Sequence, residues 1–212
     1  MEYTFTTYNI FKLRLPFCRQ YVGYLEKNTD FLAVQEWVES LHVKRDKFIF
    51  SQATFTLPIK QEKTGTAIIS SYKPTHQKGL LSVSSELGFL TSKSATITSY
   101  NLENKVLTIL NCHSLNFVTN SVWEKTIDHW LDHLPANGPC IVAGDFNTWN
   151  PWRFDLLEKK LQSLGFLYAH YDHNLIMRLD HIWHRDIIPT FCETNISIHT
   201  SDHYPVSLRF KL

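Results

Sequence analysis

The chain reads as an α/β protein, a layered sandwich in which sheets are buried under helices. Three observations carry that reading: many short apolar or alternating runs, a few helical segments inserted between them, and no internal repeat period. Residues 3–10 alternate and are rich in aromatic and β-branched side chains, and 31–35 and 66–70 are short apolar runs, so all three are expected as strands. A helical segment over 17–27 lies between the first two. Strands over 95–100 and 106–112 follow, joined by Asn101-Leu102-Glu103-Asn104, whose asparagines suit a hairpin turn. Residues 121–134 switch to helical periodicity, with Trp123, Ile127, Trp130, Leu131 and Leu134 on one stripe. The apolar run 140–144 reads as a strand, 154–164 as a helix closed by Gly165, and 179–183, 195–199 and 206–210 as the last strands.

With 212 residues and no linker-like shift in composition, one domain spanning 1–212 is expected. Apolar residues make up 43% and charged residues 19%, which excludes a disordered chain, while 14% aromatic content points to heavy interior packing or exposed stacking surfaces. A net charge of +1 announces no global field for nucleic acid, although a local basic rim is compatible with it. Cys18, Cys112, Cys140 and Cys192 show no CxxC spacing and are expected as free, buried thiols. No apolar run approaches the roughly 18 residues of a membrane span, and strand pattern begins at Tyr3 without a leader. The default expectations are a monomer and a cytoplasmic location, with export that needs no cleaved signal as the alternative. Neither GxGxxG nor GxxxxGK[ST] occurs, so dinucleotide and P-loop chemistry are unsupported.

The chemistry concentrates at strand ends. Asn9 closes the first strand, Glu36 the second, His113 follows "LTILNC", Asp145 and Asn147 follow "CIVAG", Asp180 opens "LDHIW", and Asp202-His203 precedes the last strand. Strand ends in a layered sheet converge at one edge, where residues distant in sequence meet. Carboxylates and amides suit a hard cation such as Mg²⁺ or Mn²⁺, and histidines carry protons near neutral pH. Residues two apart in extended chain point to one side, which predicts that Asp145 and Asn147 face the same ligand while Phe146 enters the core. Gly144 is expected to let the backbone pass close to that ligand.

The segments "TYN", "VQEW", "TGTAIIS", "NCHS", "GDFNTW", "LDHIW" and "SDHYPV", in this order across nearly the whole chain, resemble the endonuclease/exonuclease/phosphatase superfamily. The longer "GDFNTWNPWR" and "LDHIWHR" look like a small bacterial branch of it. The resemblance implies a four-layered α/β sandwich with two packed mixed β-sheets flanked by helices, and a divalent cation held by Glu36 with Asn9 and Asp202 near it. It further implies that Asp145 orients or deprotonates the attacking water, that Asn147 binds phosphate, and that His203 contacts the scissile phosphate. Asp180 is the matched neighbour, and His113 assists the phosphate or leaving group. The implied activity is a metal-dependent phosphodiesterase, with DNA as the favoured partner. A phosphorylated lipid headgroup, with phosphoinositide phosphatase or sphingomyelinase-like chemistry, is the alternative, and a non-catalytic binding module the third reading.

Several residues have competing readings. His129 and His133 stand four apart on a helix but lack the Glu-rich zinc pattern, so a solvated face is expected. Arg153 either holds phosphate or caps the local fold by pairing with an acid. Arg178 and Asp172 flank the Asp180 strand and could border the cleft, whereas the surrounding His170 to His173 stretch reads as a loop. Trp149, Trp152 and Trp183 could stack on bases, insert beside a lipid or pack the core. Lys60, Lys63, Lys73 and Lys78 could form a phosphate-attracting rim, or be solvated loop lysines. The 56–63 segment carries no long basic-aromatic insertion of the kind a dedicated abasic-site enzyme would have.

Overall fold

A computed structural model describes residues 1–38, 47–54, 63–86, 91–169 and 179–212. Its strands form two six-stranded sheets. The first has the order β11-β12-β1-β2-β4-β3, with β1 Tyr3–Asn9, β2 Phe31–Val38, β3 Phe48–Ala53, β4 Thr64–Ser70, β11 Ile188–Thr194 and β12 Val206–Lys211. The second runs β5-β6-β7-β8-β10-β9, with β5 His76–Glu86, β6 Thr91–Leu102, β7 Lys105–His113, β8 Cys140–Asp145, β9 Leu167–Tyr168 and β10 Asp180–Arg185.

Each sheet has one parallel pair near its centre, β1 with β2 and β7 with β8, and every other pairing is antiparallel. Parallel neighbours need a crossover, and a helix supplies it in both cases: α1 Cys18–Asn28 between β1 and β2, and α2 Asn120–Leu131 between β7 and β8. A third helix, α3 Pro151–Ser163, follows β8.

Side-chain alternation distributes the apolar residues into three buried layers. Phe5, Phe31, Ile68, Ile109, Ile141, Ile182 and Phe210 fill the space between the sheets. Val22 and Leu25 of α1 pack on Tyr8, Leu32 and Val34, whereas Trp123, Ile127 and Trp130 of α2 and Leu157 and Leu161 of α3 cover the other outer face. The result is helix, sheet, sheet, helices: the four-layered sandwich. Burial of one such large side chain stabilises by roughly 1.5–3 kcal/mol.

The hairpin after β6 turns on Glu103 and Asn104, both with positive φ (47° and 64°), as a tight right-twisting connection requires. Gly165 (φ 79°) stops α3, its N–H reaching Gln162 O at 2.9 Å. Residues 195–199 are not a strand. Asn195 Oδ1 accepts from Ser197 N at 3.2 Å and Ser197 Oγ at 2.6 Å, a local turn that competes with the ladder. The strand lies just before it, in β11, with a bulge between Pro189 and Phe191. Strands β3, β5 and β9, absent from the sequence expectation, lie on edges or beside them, where half-exposed residues blur the period. The four cysteines are free, three of them buried.

Candidate active site

Strand β8 is buried at every position and ends by placing Asp145, 2% exposed, at the carboxyl edge of the sheet. Its neighbours come from both sheets. Asn9 Nδ2, at the end of β1, donates to Asp145 Oδ2 at 3.0 Å, and the backbone N–H of Asn147 donates to Oδ1 at 3.0 Å. His113 Nε2 stands 3.5 Å and His203 Nε2 3.8 Å from Oδ2. Pairing register makes this possible, since Asp145 lies opposite His113 on one side and Asp180 on the other.

Asp145 and Asn147 do converge, but not by strand alternation. The strand stops at Asp145, Asn147 is left-handed (φ 50°), and its side chain donates to Ser114 O at 2.9 Å. Phe146 enters the core as expected. Gly144 serves the sheet rather than a ligand: a Cβ there would meet Cys112 O at 2.0 Å, and its φ is +131°.

The titratable groups are driven apart. Burial raises the Asp145 carboxyl to about 6 against the pull of His203, with Asp180 adding to the rise. Burial alone would lower His203, but Asp180, whose Oδ2 accepts from Nδ1 at 2.5 Å, together with Asp145 and Asp202, pushes it up to about 10. His113 is held well below its ordinary value, first by burial and then by Lys93. The Lys93 ammonium lies 2.9 Å from His113 Nε2, so that nitrogen is the acceptor and the ring is neutral. The close approach of His113 to Asp145 is therefore not an ion pair at neutral pH.

Glu36 sits at a bulge in β2 with φ 56°, a costly conformation that turns its carboxylate out of the ladder. Its Oε2 is buried and, among the described residues, without a hydrogen-bond partner, and Lys12 Nζ lies 3.8 Å from it. Lys12 arrives on a turn whose residues Phe11, Lys12 and Leu13 are all left-handed. Among the described residues no cluster of three or more His, Cys, Asp or Glu side chains gathers to wrap a cation. One carboxylate with an unsatisfied oxygen, one residue along β2 from the position opposite Asn9, fits a hard ion that keeps most of its water, as Mg²⁺ does.

The fold has known counterparts. The sequence profile of the Endonuclease/Exonuclease/phosphatase family matches residues 6–203. The chain belongs to that family. Family members are in general hydrolytic phosphoesterases that use divalent metals. A UPF0294 protein of Vibrio cholerae is 34% identical over 129 residues, which cover 57% of this chain, and the chain spans about half of that relative's length (46%). An endonuclease/exonuclease/phosphatase family protein from Leptotrichia buccalis superposes with a TM-score of 0.79 at 15% identity, covering 99% of this chain and 100% of its own. D. rerio TDP2 complexed with single strand DNA product gives 0.71 at 13% identity, covering 100% of this chain and 99% of its own.

The remaining candidate residues have varied surroundings. Arg153 is fully buried and reaches no acid or open cleft. Its guanidinium donates to Leu115 O, Asn116 O, Val118 O, Asn147 O and Asn120 Oδ1, at 3.0–3.3 Å, so it is a bolt between two loops and not a phosphate ligand. Asp202 is exposed, with Oδ1 3.2 Å from Ser201 Oγ, and its charge acts on His203. Trp183 is core, whereas Trp149 and Trp152 are 52% and 45% exposed. His129 and His133 lie on the surface of α2, where Lys78 Nζ is 3.3 Å from His133 Nδ1, far from Asp145 in the sheet. Lys63 and Lys73 are solvated. Arg178, Asp172, the 170–173 stretch and Lys60 lie outside the described residues. What the sequence did not betray is Lys93, which sits in a polar stretch without motif, and its partner Glu86, whose Oε2 is 3.9 Å from Lys93 Nζ and whose Oε1 accepts from Asn116 N at 2.5 Å. Lys93 lies two residues before the strand expected over 95–100, in the part of β6 that apolar patterning does not mark.

Proposed function

We propose that the chain is a divalent-metal-dependent phosphodiesterase that hydrolyses DNA. The observation that carries the reading is the convergence of side chains from both sheets on one carboxylate: Asp145 Oδ2 lies 3.0 Å from Asn9 Nδ2, 3.5 Å from His113 Nε2 and 3.8 Å from His203 Nε2, whose Nδ1 Asp180 holds at 2.5 Å; in that setting burial pushes the Asp145 carboxyl up to about 6 and, against burial, Asp180 pushes His203 up. A group near 6 accepts a proton at neutral pH, and a histidinium held by Asp180 gives one. Asp145 takes the proton of a water whose oxygen attacks phosphorus in line. The bond from phosphorus to the leaving oxygen breaks, and His203 Nε2 returns a proton to that oxygen, leaving a phosphomonoester and an alcohol.

Asn147, fixed by Asp145 and Ser114, shapes the phosphate pocket, and Lys93 with neutral His113 supplies positive charge and an acceptor at its back. Glu36, with the Asn9 amide oxygen, would hold Mg²⁺ or Mn²⁺, which when bound neutralises charge on the phosphate oxygens. DNA is favoured over a lipid headgroup because a family relative of the same fold is seen with single strand DNA.

The test is nicking of supercoiled plasmid by the purified protein with Mg²⁺, with Mn²⁺ and with EDTA, beside His203→Ala. Nicking that requires metal and falls about 10²- to 10⁴-fold in the variant is expected. A folded wild type that cleaves neither plasmid nor single-stranded DNA under any condition refutes the DNA assignment. Turnover of phosphoinositide or sphingomyelin would then place the same chemistry on a lipid, and inertness toward every ester would leave a binding module.

A further inference from the structure

Three large rings stand in solvent beside the site: Phe117 (68% exposed), Trp149 (52%) and Trp152 (45%). Phe117 and Trp149 belong to the loops after β7 and β8, the same strand ends that deliver His113 and Asp145, and Trp152 to the first turn of α3. Exposed rings on mobile loops would mean little, but these are fixed. One guanidinium nitrogen of Arg153 donates to Asn116 O at 3.2 Å and Val118 O at 3.0 Å, the two carbonyls that bracket Phe117. Its other terminal nitrogen donates to Leu115 O at 3.2 Å and Asn147 O at 3.1 Å, and the guanidinium carbon lies 5.2 Å from the centre of the Trp149 ring. A single buried residue thus sets the positions of Phe117, Trp149 and Asn147 together.

We propose that Phe117 and Trp149 form a preorganised stacking edge for a nucleobase next to the scissile phosphate of a single-stranded nucleic acid; the proposal rests on the phosphodiesterase reading and names its substrate class. Trp149 has a cation against one face and is half open to solvent, so a planar group can stack on the free face. A base within a duplex has no free face, whereas an unpaired base does. The neighbours favour a base over a bilayer. Residues 114–120 (SLNFVTN) and 147–152 (NTWNPW) contain no lysine, arginine or acid, so nothing here attracts anionic lipid. Phe117 and Trp149 are interspersed in sequence with polar Asn116, Thr119 and Asn150, so the two rings are separate platforms in place of a continuous apolar patch.

Binding measured in EDTA separates this proposal from hydrolysis. Fluorescence anisotropy would compare a labelled oligothymidylate with a base-free oligomer of equal length and charge, and with vesicles of phosphatidylcholine and phosphatidylserine. The wild type is expected to bind oligothymidylate about tenfold or more tighter than the base-free oligomer, with quenching of tryptophan emission. Trp149→Leu and Phe117→Leu, checked as folded by their melting transitions, should each lose most of that difference, and Trp149→Phe should keep part of it. Equal affinity for both oligomers, undiminished discrimination in folded Trp149→Leu, or binding to vesicles in place of oligothymidylate would each overturn the stacking edge. Plasmid nicking by a protein that does not discriminate bases leaves the hydrolytic reading intact, whereas base discrimination without hydrolysis sinks that reading and keeps this one.

Discussion

Asp145, His203 and His113 lie within one cluster yet hold their protons differently, because each answers to a different neighbour. His203 depends on Asp180: the carboxylate fixes Nδ1 at 2.5 Å and its charge outweighs the burial that would neutralise the ring. The folded-state value of about 10 lies above the ordinary 6.5, so the histidinium contributes its full stabilisation below about pH 6.5 and loses it as pH rises to about 10. Asp180→Asn removes the charge but keeps the hydrogen-bonding shape. The melting temperature of the wild type should therefore fall across pH 6.5–10 more steeply than that of the variant, and the His203 ring resonances should titrate at lower pH in the variant. Parallel melting curves would show that Asp180 does not hold the proton. The same residues show what could be read in advance. The convergence of Asp145, His203 and Asp180 is legible from their places at strand ends, whereas Lys93 reaches His113 only because β6 pairs with β7, and Glu86 reaches Lys93 from β5. No local pattern encodes that pairing.

Elements, too, were legible where their signals are local. Apolar periodicity located all three helices, but α3 begins at Pro151 because Asn150 caps it, accepting from Arg153 N at 2.9 Å, with proline in the first turn. The apolar stripe alone does not show that start. Asn195 breaks its strand by a side-chain turn for the same reason: short polar side chains compete with the backbone ladder. Arg153 illustrates the opposite limit, since an arginine after a GDFN loop looks like a phosphate ligand until its five acceptors are seen. Arg153→Met should destabilise the protein by about 2 kcal/mol or more, because several carbonyls lose charge-assisted bonds in a dry setting. That corresponds to a fall of roughly 4–8 °C in melting temperature for a chain of this size. Arg153→Lys should recover little, as an ammonium cannot reproduce the planar fork. Amide exchange localises the effect: protection should fall in 114–119 and around Asn147 while the β1–β2 pair stays protected. A lysine variant as stable as wild type would mean that the fork is not what joins the loops.

At the scale of the whole molecule the site exists only because the two sheets are held face to face, and the interior between them contains a polar bolt. Gln35 Nε2 of one sheet donates to Asn111 Oδ1 of the other at 2.6 Å and to Thr7 Oγ1 at 2.9 Å. Asn111 Nδ2 returns across the gap to Val34 O at 3.0 Å and Ala67 O at 2.8 Å. Both side chains are fully buried, and they lie directly under Glu36 and close behind His113 in sequence and register. Apolar packing between sheets is nondirectional and would tolerate sliding; a buried amide pair fixes one alignment, and with it the separation of Asn9 and Glu36 from Asp145. Asn111→Leu should therefore cost about 2–4 kcal/mol in urea unfolding, since Val34 O, Ala67 O and the Gln35 amide lose their partners out of reach of water. The Gln35→Leu/Asn111→Leu double variant should be less destabilised than the sum of the two singles, by about 0.5–3 kcal/mol, because each single change already breaks the shared bond. Hydrolytic activity in Asn111→Leu should drop even at temperatures where the protein is fully folded, as the two halves of the site lose their common register. If the single costs simply add and the folded variant turns over at the wild-type rate, the alignment of the sheets is set by apolar packing alone.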